Sequence, residues 1–173
     1  MIEKIALVGM MGAGKSEAGR LAAARLRLPF FDLDARIEEA EGTTITALFA
    51  ERGEAAFRRL ETLHLSIVCS ERKGVLASGG GAVLAAENRE ALRRWGKTVY
   101  LRARPETLAA RLAAGGANVR PLLAGAEPAA RLASILSARA RFYEEADLVL
   151  DTDDLTPAET AERIVRAAGA PDR

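Results

Sequence analysis

Gly9-Met10-Met11-Gly12-Ala13-Gly14-Lys15-Ser16 spells G-x-x-x-x-G-K-[ST] without a gap, and no other stretch constrains the fold as tightly. The apolar run Ile5-Ala6-Leu7-Val8 precedes it and a helix-forming run from Glu17 to Leu28 follows. That is the strand, loop and helix context in which the motif works. Gly9, Gly12 and Gly14 take backbone angles closed to side chains and let amide N–H groups come close to a phosphate. The helix N-terminus adds partial positive charge at the same point. Lys15 has the reach for β- and γ-phosphates, and the Ser16 hydroxyl suits Mg²⁺. A chance match in a glycine-rich turn would not bring the flanking strand and helix with it. The motif therefore implies nucleoside triphosphate binding, and the phosphate acceptor must be read from the rest of the chain.

The length of 173 residues suits one compact domain with its own core, spanning 1–173. A net charge of +1 removes the electrostatic case for nucleic acid or an acidic membrane as partner. The basic residues are mostly arginine, which suits bidentate anion binding. Cys69 is the single cysteine, so no disulfide framework and no cysteine metal site is expected. The first apolar run is short and ends in the glycine loop, unlike a secretory signal, and no apolar run approaches the ~20 residues of a membrane span. The expectation is a cytoplasmic protein, monomeric because no exposed apolar stripe stands out.

Apolar runs and breakers predict strands at 2–8, 29–34, 74–78, 98–101 and 148–150. They predict helices at 15–27, 35–50 in short pieces, 54–71, 87–95, 105–114, 128–145 and 157–168. Gly42 followed by Thr43 and Thr44 reads as a helix stop and a new N-cap. Strands alternating with helices imply an α/β fold, a five-stranded parallel sheet covered on both faces in three α/β/α layers. Ligands then bind beyond the carboxyl ends of the strands. The Gly9 loop, Asp32 with Asp34, and Gly79-Gly80-Gly81 all fall there.

Asp32 and Asp34, two apart in a segment read as extended, project from one side. A kinase site needs an acid near Mg²⁺ and another for the attacking hydroxyl, although a solvated turn acid beside a helix cap has the same spelling. Ser78 ends the third strand without an acid, which leaves Asp32 for the metal. Glu54, Arg58 and Glu61 share a helical face, and their periodicity favours a surface ion-pair ladder over an arginine aimed at substrate. Arg139 continues the apolar stripe of Leu132, Ile135, Leu136, Phe142 and Tyr143, and an inward arginine must find an anion or a buried partner. Arg141 reads as solvated. Arg120, in the Gly115–Leu123 loop, fits either a mobile lid over phosphates or an exposed loop. His64, on a stripe with Leu60, Phe57 and Ile67, reads as packing, as do Cys69 and Trp95.

Taken together, these residues resemble the shikimate kinase family along nearly the whole chain. Gly9–Ser16, Phe31-Asp32-Leu33-Asp34, Gly53-Glu54 with Phe57-Arg58 and Glu61, Gly79–Gly81, Arg120-Pro121-Leu122-Leu123, and Arg139 with Tyr143 and Ala146 occur in that family's order and spacing. Any one of these is weak; the ordered set is specific. The resemblance implies a kinase of the P-loop type with a mobile lid at about 113–125 and substrate-binding helices at about 34–60. It implies ATP-dependent phosphorylation of the shikimate 3-hydroxyl, with Mg²⁺, in aromatic amino-acid biosynthesis. Lys15, Asp34 and Arg120 would be catalytic, with Asp34 activating the hydroxyl and Arg120 contacting transferred phosphate. Arg58 and Arg139 would bind the shikimate carboxylate beside Gly79, Gly80 and Gly81. Ser16 and Asp32 would hold the metal. Gly12, Ala13, Gly14, Lys15, Ser16 and Glu17 are the candidate nucleotide contacts. Where many members carry an arginine early in the lid that packs on adenine, this chain has Ala113 and Ala114. Arg111 is the nearest candidate, with Pro157 of the C-terminal loop opposite.

A kinase for gluconate or a nucleotide would keep the phosphate loop and lid but would not require Asp34, Arg58 and Arg139 together. A GTPase switch needs N-K-x-D, which is absent. A nucleotide-binding module without turnover would be expected to lose Lys15 or Asp34, and both are present.

Overall fold

Three runs of continuous apolar residues form the middle of one sheet: β1 (Lys4–Val8), β3 (Gly74–Ala77) and β4 (Lys97–Arg102). The computed structural model describes residues 2–115 and 127–169. β2 (Phe30–Asp32) and β5 (Leu148–Asp151) are the half-buried edges. All pairings are parallel, in the order β2-β3-β1-β4-β5, with Ile5 opposite Val75 and Val8 opposite Tyr100. The central strands are apolar on both faces because helices cover both.

Alternation along the strands sends side chains to two cores. Ile5, Leu7, Val75, Val99 and Leu101 meet α1 (Lys15–Leu26), α5 (Pro105–Ala114) and α7 (Pro157–Ala167), through Ala18, Ala22, Leu108 and Ile164. Ala6, Val8, Leu76 and Tyr100 meet α2 (Leu33–Glu41), α3 (Ile45–Val68) and α4 (Ala86–Trp95), through Ile37, Leu48, Leu65 and Leu92. α6 (Pro128–Tyr143) places Leu132 in the first core and Tyr143 in the second. Full burial of such an aliphatic side chain stabilises by roughly 1.5–3 kcal/mol, against about 0–1 kcal/mol for an exposed ion pair. The two cores therefore hold the fold.

Three expectations change. The second strand ends at Asp32, whose carboxylate accepts from the Ala35 N–H at 3.2 Å and caps α2. That bond starts a helix at Leu33, so Asp34 lies in a first helical turn and the two acids do not share one side of a strand. The helix expected over 54–71 is the second part of α3, which starts at Ile45 and ends at Val68; Gly53 (φ 77°, ψ 168°) breaks it in a conformation open essentially only to glycine. Its inward stripe is Phe57, Glu61, Leu65 and Val68; Ile67 is exposed and His64 half-buried. The other helices and strands lie within a few residues of expectation, including the stop at Gly42 and the Thr44 cap.

Candidate active site

The phosphate loop, the start of α2 and the Gly79–Gly81 turn follow β1, β2 and β3, so all three open at the carboxyl edge of the sheet. In the loop, Gly12 has φ 81°, and a Cβ there would stand 2.9 Å from the Leu108 carbonyl; only glycine lets the loop pass α5 so closely. Gly14, also at positive φ, caps α1. Lys15 is buried, and its Nζ donates to the Gly9 and Met10 carbonyls at 2.7 and 2.9 Å. These bonds hold a cation at the mouth of the loop. Ser16 and Glu17 are exposed at the start of α1.

A cleft of about 960 Å³ lies over this loop, lined by Lys15, Ser16, Asp32, Asp34, Ser78 and Arg111 among others. Ser16 and Asp32 thus share it, and their donors are hard oxygens. Among the described residues no cluster of three or more His, Cys, Asp or Glu could hold a metal. That donor set suits Mg²⁺, which takes one or two protein oxygens and completes its shell with phosphates and water. The cleft continues into a space of about 920 Å³ between Gly12–Gly14 and the C-terminal loop, where Arg111 faces Leu155 and Pro157. The Arg111 guanidinium donates to the Thr152 hydroxyl at 3.1 Å and to the Thr152 carbonyl, which fixes it there.

On the other side of Asp34 and Gly80 is a smaller pocket of about 420 Å³, lined by Met11, Asp34, Arg58, Glu61, Gly80, Gly81 and Arg139, with Ile45, Phe49 and Phe57 as an apolar wall. Phe49 and Phe57 pack 4.7 Å apart across the Gly53 break. Arg58 donates to Glu61 at 2.7 Å and to Glu54 at 3.0 Å. Glu61 is 1% exposed, so this is no surface ladder. Burial pushes the Glu61 carboxyl up and the Arg58 charge and hydrogen bond pull it back only in part; for Arg58, burial is the largest single influence, but the charges and hydrogen bonds of Glu61 and Glu54 together outweigh it, and the guanidinium holds its proton more tightly. Among the described residues, Glu61 Oε1 has no hydrogen-bond partner. A Cβ on Gly79 would lie against the Glu61 and Asp34 carboxylates, and one on Gly81 against the Arg58 guanidinium. The glycines are what let these groups meet.

Arg139 is buried, as its place in the apolar stripe predicts. Among the described residues it makes no ion pair; its Nη1 donates to the Gly80 carbonyl at 3.3 Å. Arg141 is exposed. The pocket thus offers a buried guanidinium with donors in excess beside a carboxylate and next to a phosphate loop.

A family model described as shikimate kinase matches residues 11–168. This chain belongs to the shikimate kinase family. It is 44% identical over 174 residues to the shikimate kinase of Pseudomonas syringae pv. syringae, which covers 99% of this chain and 100% of that one. It is 47% identical over 142 residues to that of Symbiobacterium thermophilum, 82% of each chain. The solved shikimate kinase from Acinetobacter baumannii in complex with shikimate is similar with a TM-score of 0.91 and 37% identity, over 96% of this chain and 93% of that one. The sheet and its helical layers are those of the family, and the family's kinase activity carries with it the use of ATP.

Within a family member so built, the fold brings together Lys15, Ser16, Asp32, Asp34, Gly80 and Arg111 in one cleft, and Asp34, Arg58, Gly80, Gly81 and Arg139 in the pocket beside it. Gly79 stands just behind, against two carboxylates. Arg120 and most of the lid at 113–125 lie outside the described residues. Sequence reasoning left Glu61 out of the site, although it had the signal: an acid at i+3 from Arg58 and i+4 from Phe57, on the face that turned out inward. It also missed Phe49 and Ile45, whose spacing reads as ordinary core.

Proposed function

We propose that this chain transfers the γ-phosphoryl group of ATP to the 3-hydroxyl of shikimate, giving shikimate 3-phosphate and ADP. The observation that carries the acceptor is Arg139: a buried arginine without an ion pair among the described residues, lining a pocket that adjoins the phosphate loop. A carboxylate is the ligand that such a group needs, since a buried cation is costly without an anion. Shikimate brings one carboxylate and several hydroxyls to a pocket with two arginines and an aspartate.

Each residue then has a role. Arg139 and Arg58 bind the carboxylate, with charge-assisted bonds of about 1.5–3 kcal/mol each. Glu61 and Glu54 fix Arg58. Gly79–Gly81 leave room for the ring beside the backbone. Asp34 accepts a hydrogen bond from the 3-hydroxyl and orients its oxygen toward the γ-phosphorus. As the new P–O bond forms, the bond to ADP breaks and the hydroxyl proton leaves on the Asp34 side. Lys15 and the amides of Gly12–Ser16 hold the phosphates, with Glu17 at the edge of that site. Ser16 and Asp32 would hold Mg²⁺, which neutralises phosphate charge when bound. Arg111 and Pro157 flank the adenine, and Arg120 closes on the transferred group. Phosphoryl transfer is mostly positioning and charge stabilisation, so this set suffices without a covalent intermediate.

The test is ADP release with MgATP, comparing shikimate with no acceptor, gluconate and AMP, each with and without a chelator. The expected result is metal-dependent turnover with shikimate alone, on the order of 1–100 s⁻¹. Turnover with gluconate or AMP instead would reassign Arg58 and Arg139.

A further inference from the structure

We infer that the Tyr143 hydroxyl is a positioning group that locks the Gly80 carbonyl, so that Arg139 makes only one long bond there and keeps its other donors for the acceptor, with Gly80 seated on the phosphate loop. The inference rests on the acceptor pocket proposed above. Tyr143 lies one helical turn after Arg139 on α6, and both donate to the same carbonyl, that of Gly80. The phenol is fully buried. Its ring stacks on Tyr100 of β4 at 5.1 Å in the apolar core of the α3 and α4 side, while its hydroxyl end faces the charges of Arg139, Arg58 and Glu61. A phenylalanine would fill that space with no polar atom to desolvate. A hydroxyl there is unfavourable unless it is bonded, and its partner belongs to Gly80, which with Met11 and Asp34 lines both the acceptor pocket and the phosphate cleft. Its further neighbours are also at the junction: Arg139 itself bonds to the phenol, and Met10 Sδ, at 3.7 Å, belongs to a residue whose carbonyl takes Lys15.

The consequences follow from a peptide's planarity. Pinning the Gly80 carbonyl toward α6 turns the Gly81 N–H the opposite way, because the intervening peptide is trans. Gly80 has no side chain to resist rotation, and it packs tightly: a Cβ on it would stand 3.2 Å from the Met11 nitrogen. A small rotation would therefore press the turn against the phosphate loop. Arg139, at 3.3 Å, is too long to hold that carbonyl firmly. Without the phenol, Arg139 must serve the carbonyl as well as the acceptor. Burial pushes the phenol up from its ordinary value, so it remains a donor across the working range.

The experiment uses the whole chain with Tyr143→Phe, which keeps the ring and the stack, beside Tyr100→Leu, which disrupts the stack and keeps the hydroxyl. Shikimate KM and kcat are measured at saturating MgATP, MgATP binding without acceptor, and the melting temperature. For Tyr143→Phe the expected result is a shikimate KM raised roughly three- to tenfold with lower kcat and a smaller loss in MgATP binding than in shikimate affinity. Tyr100→Leu should lower the melting temperature without that split. Wild-type shikimate kinetics in Tyr143→Phe, or an equal loss in MgATP binding, would overturn the inference while the acceptor reading stands. A wild-type protein inactive on shikimate would overturn both.

Discussion

The nucleotide half of the cleft is written in one run of eight residues, Gly9–Ser16, whereas the acceptor half is assembled from α2, α3, the Gly79–Gly81 turn and α6. The first works through backbone amides and a lysine folded over its own loop. The second works through side chains that only the tertiary fold brings within reach of one another. The first half should therefore fail through backbone strain, and the second through displaced side chains. Substitutions that separate acceptor kinetics from ATP binding test that difference.

The largest effect is expected at the boundary of the two halves. Asp34 lines both the cleft and the pocket. Asp34→Asn keeps the shape and removes the charge that orients the hydroxyl. Turnover should fall about a hundred- to ten-thousandfold, while MgATP binding without acceptor stays near wild type. Steady-state kinetics with a binding titration checks it, and near-normal turnover would remove Asp34 from its role.

Next comes Arg139→Lys. Lysine keeps the charge but cannot form the bidentate pair, so the shikimate KM should rise about ten- to a hundredfold, again with MgATP binding unchanged. An unchanged KM would mean that the carboxylate lies elsewhere in the pocket.

A matched pair of glycines then sharpens the contrast. Gly81 has an ordinary φ of −103°, but a Cβ there would overlap the Arg58 guanidinium, the movable end of a long side chain. Gly81→Ala should therefore push Arg58 aside, raising the shikimate KM several-fold with little change in melting temperature. Gly14 has open space around it but φ 84°. Gly14→Ala should cost about 1–2 kcal/mol of backbone strain, read as a lower melting temperature and weaker MgATP binding, with shikimate KM unchanged. The opposite pattern in either variant would break the comparison.

The same division explains what could be read from the sequence. The phosphate loop, the parallel sheet and most helices were legible because each rests on local chemistry: glycines before a helix, apolar runs, the stop at Gly42 and the cap at Thr44. Arg139 was legible as an inward arginine because its neighbours form a clean stripe. Arg58 was not, since Glu54, Arg58 and Glu61 spell the same pattern as the exposed Arg94–Glu90 pair, 75% and 61% exposed. Only packing against α2 and the Gly79–Gly81 turn buries Glu61. Asp34 was misplaced because a capping bond at Asp32 won over the strand pattern. Resemblance to the family, an ordered set of weak motifs, supplied what local chemistry left open.

The smallest effect is expected where neither half is touched. Asp147, in the turn between α6 and β5, accepts from the Thr98 backbone N–H at 2.7 Å and from its hydroxyl at 2.8 Å, at the sheet end opposite the cleft. Those bonds, the backbone one first, hold its carboxyl below the usual range against a smaller opposing effect of burial. A carboxyl lowered in the folded state stabilises above its unfolded pKa, about 3.9, and that stability fades as pH falls through the folded value. The side chain is exposed, so the contribution is screened, about 0.5–1 kcal/mol. Asp147→Ala should lower the melting temperature slightly at pH 7, with the difference from wild type shrinking below about pH 4. Shikimate KM and MgATP binding should both remain as in wild type. If either moved, the two halves would be coupled through β4, and their separation would need a different physical account.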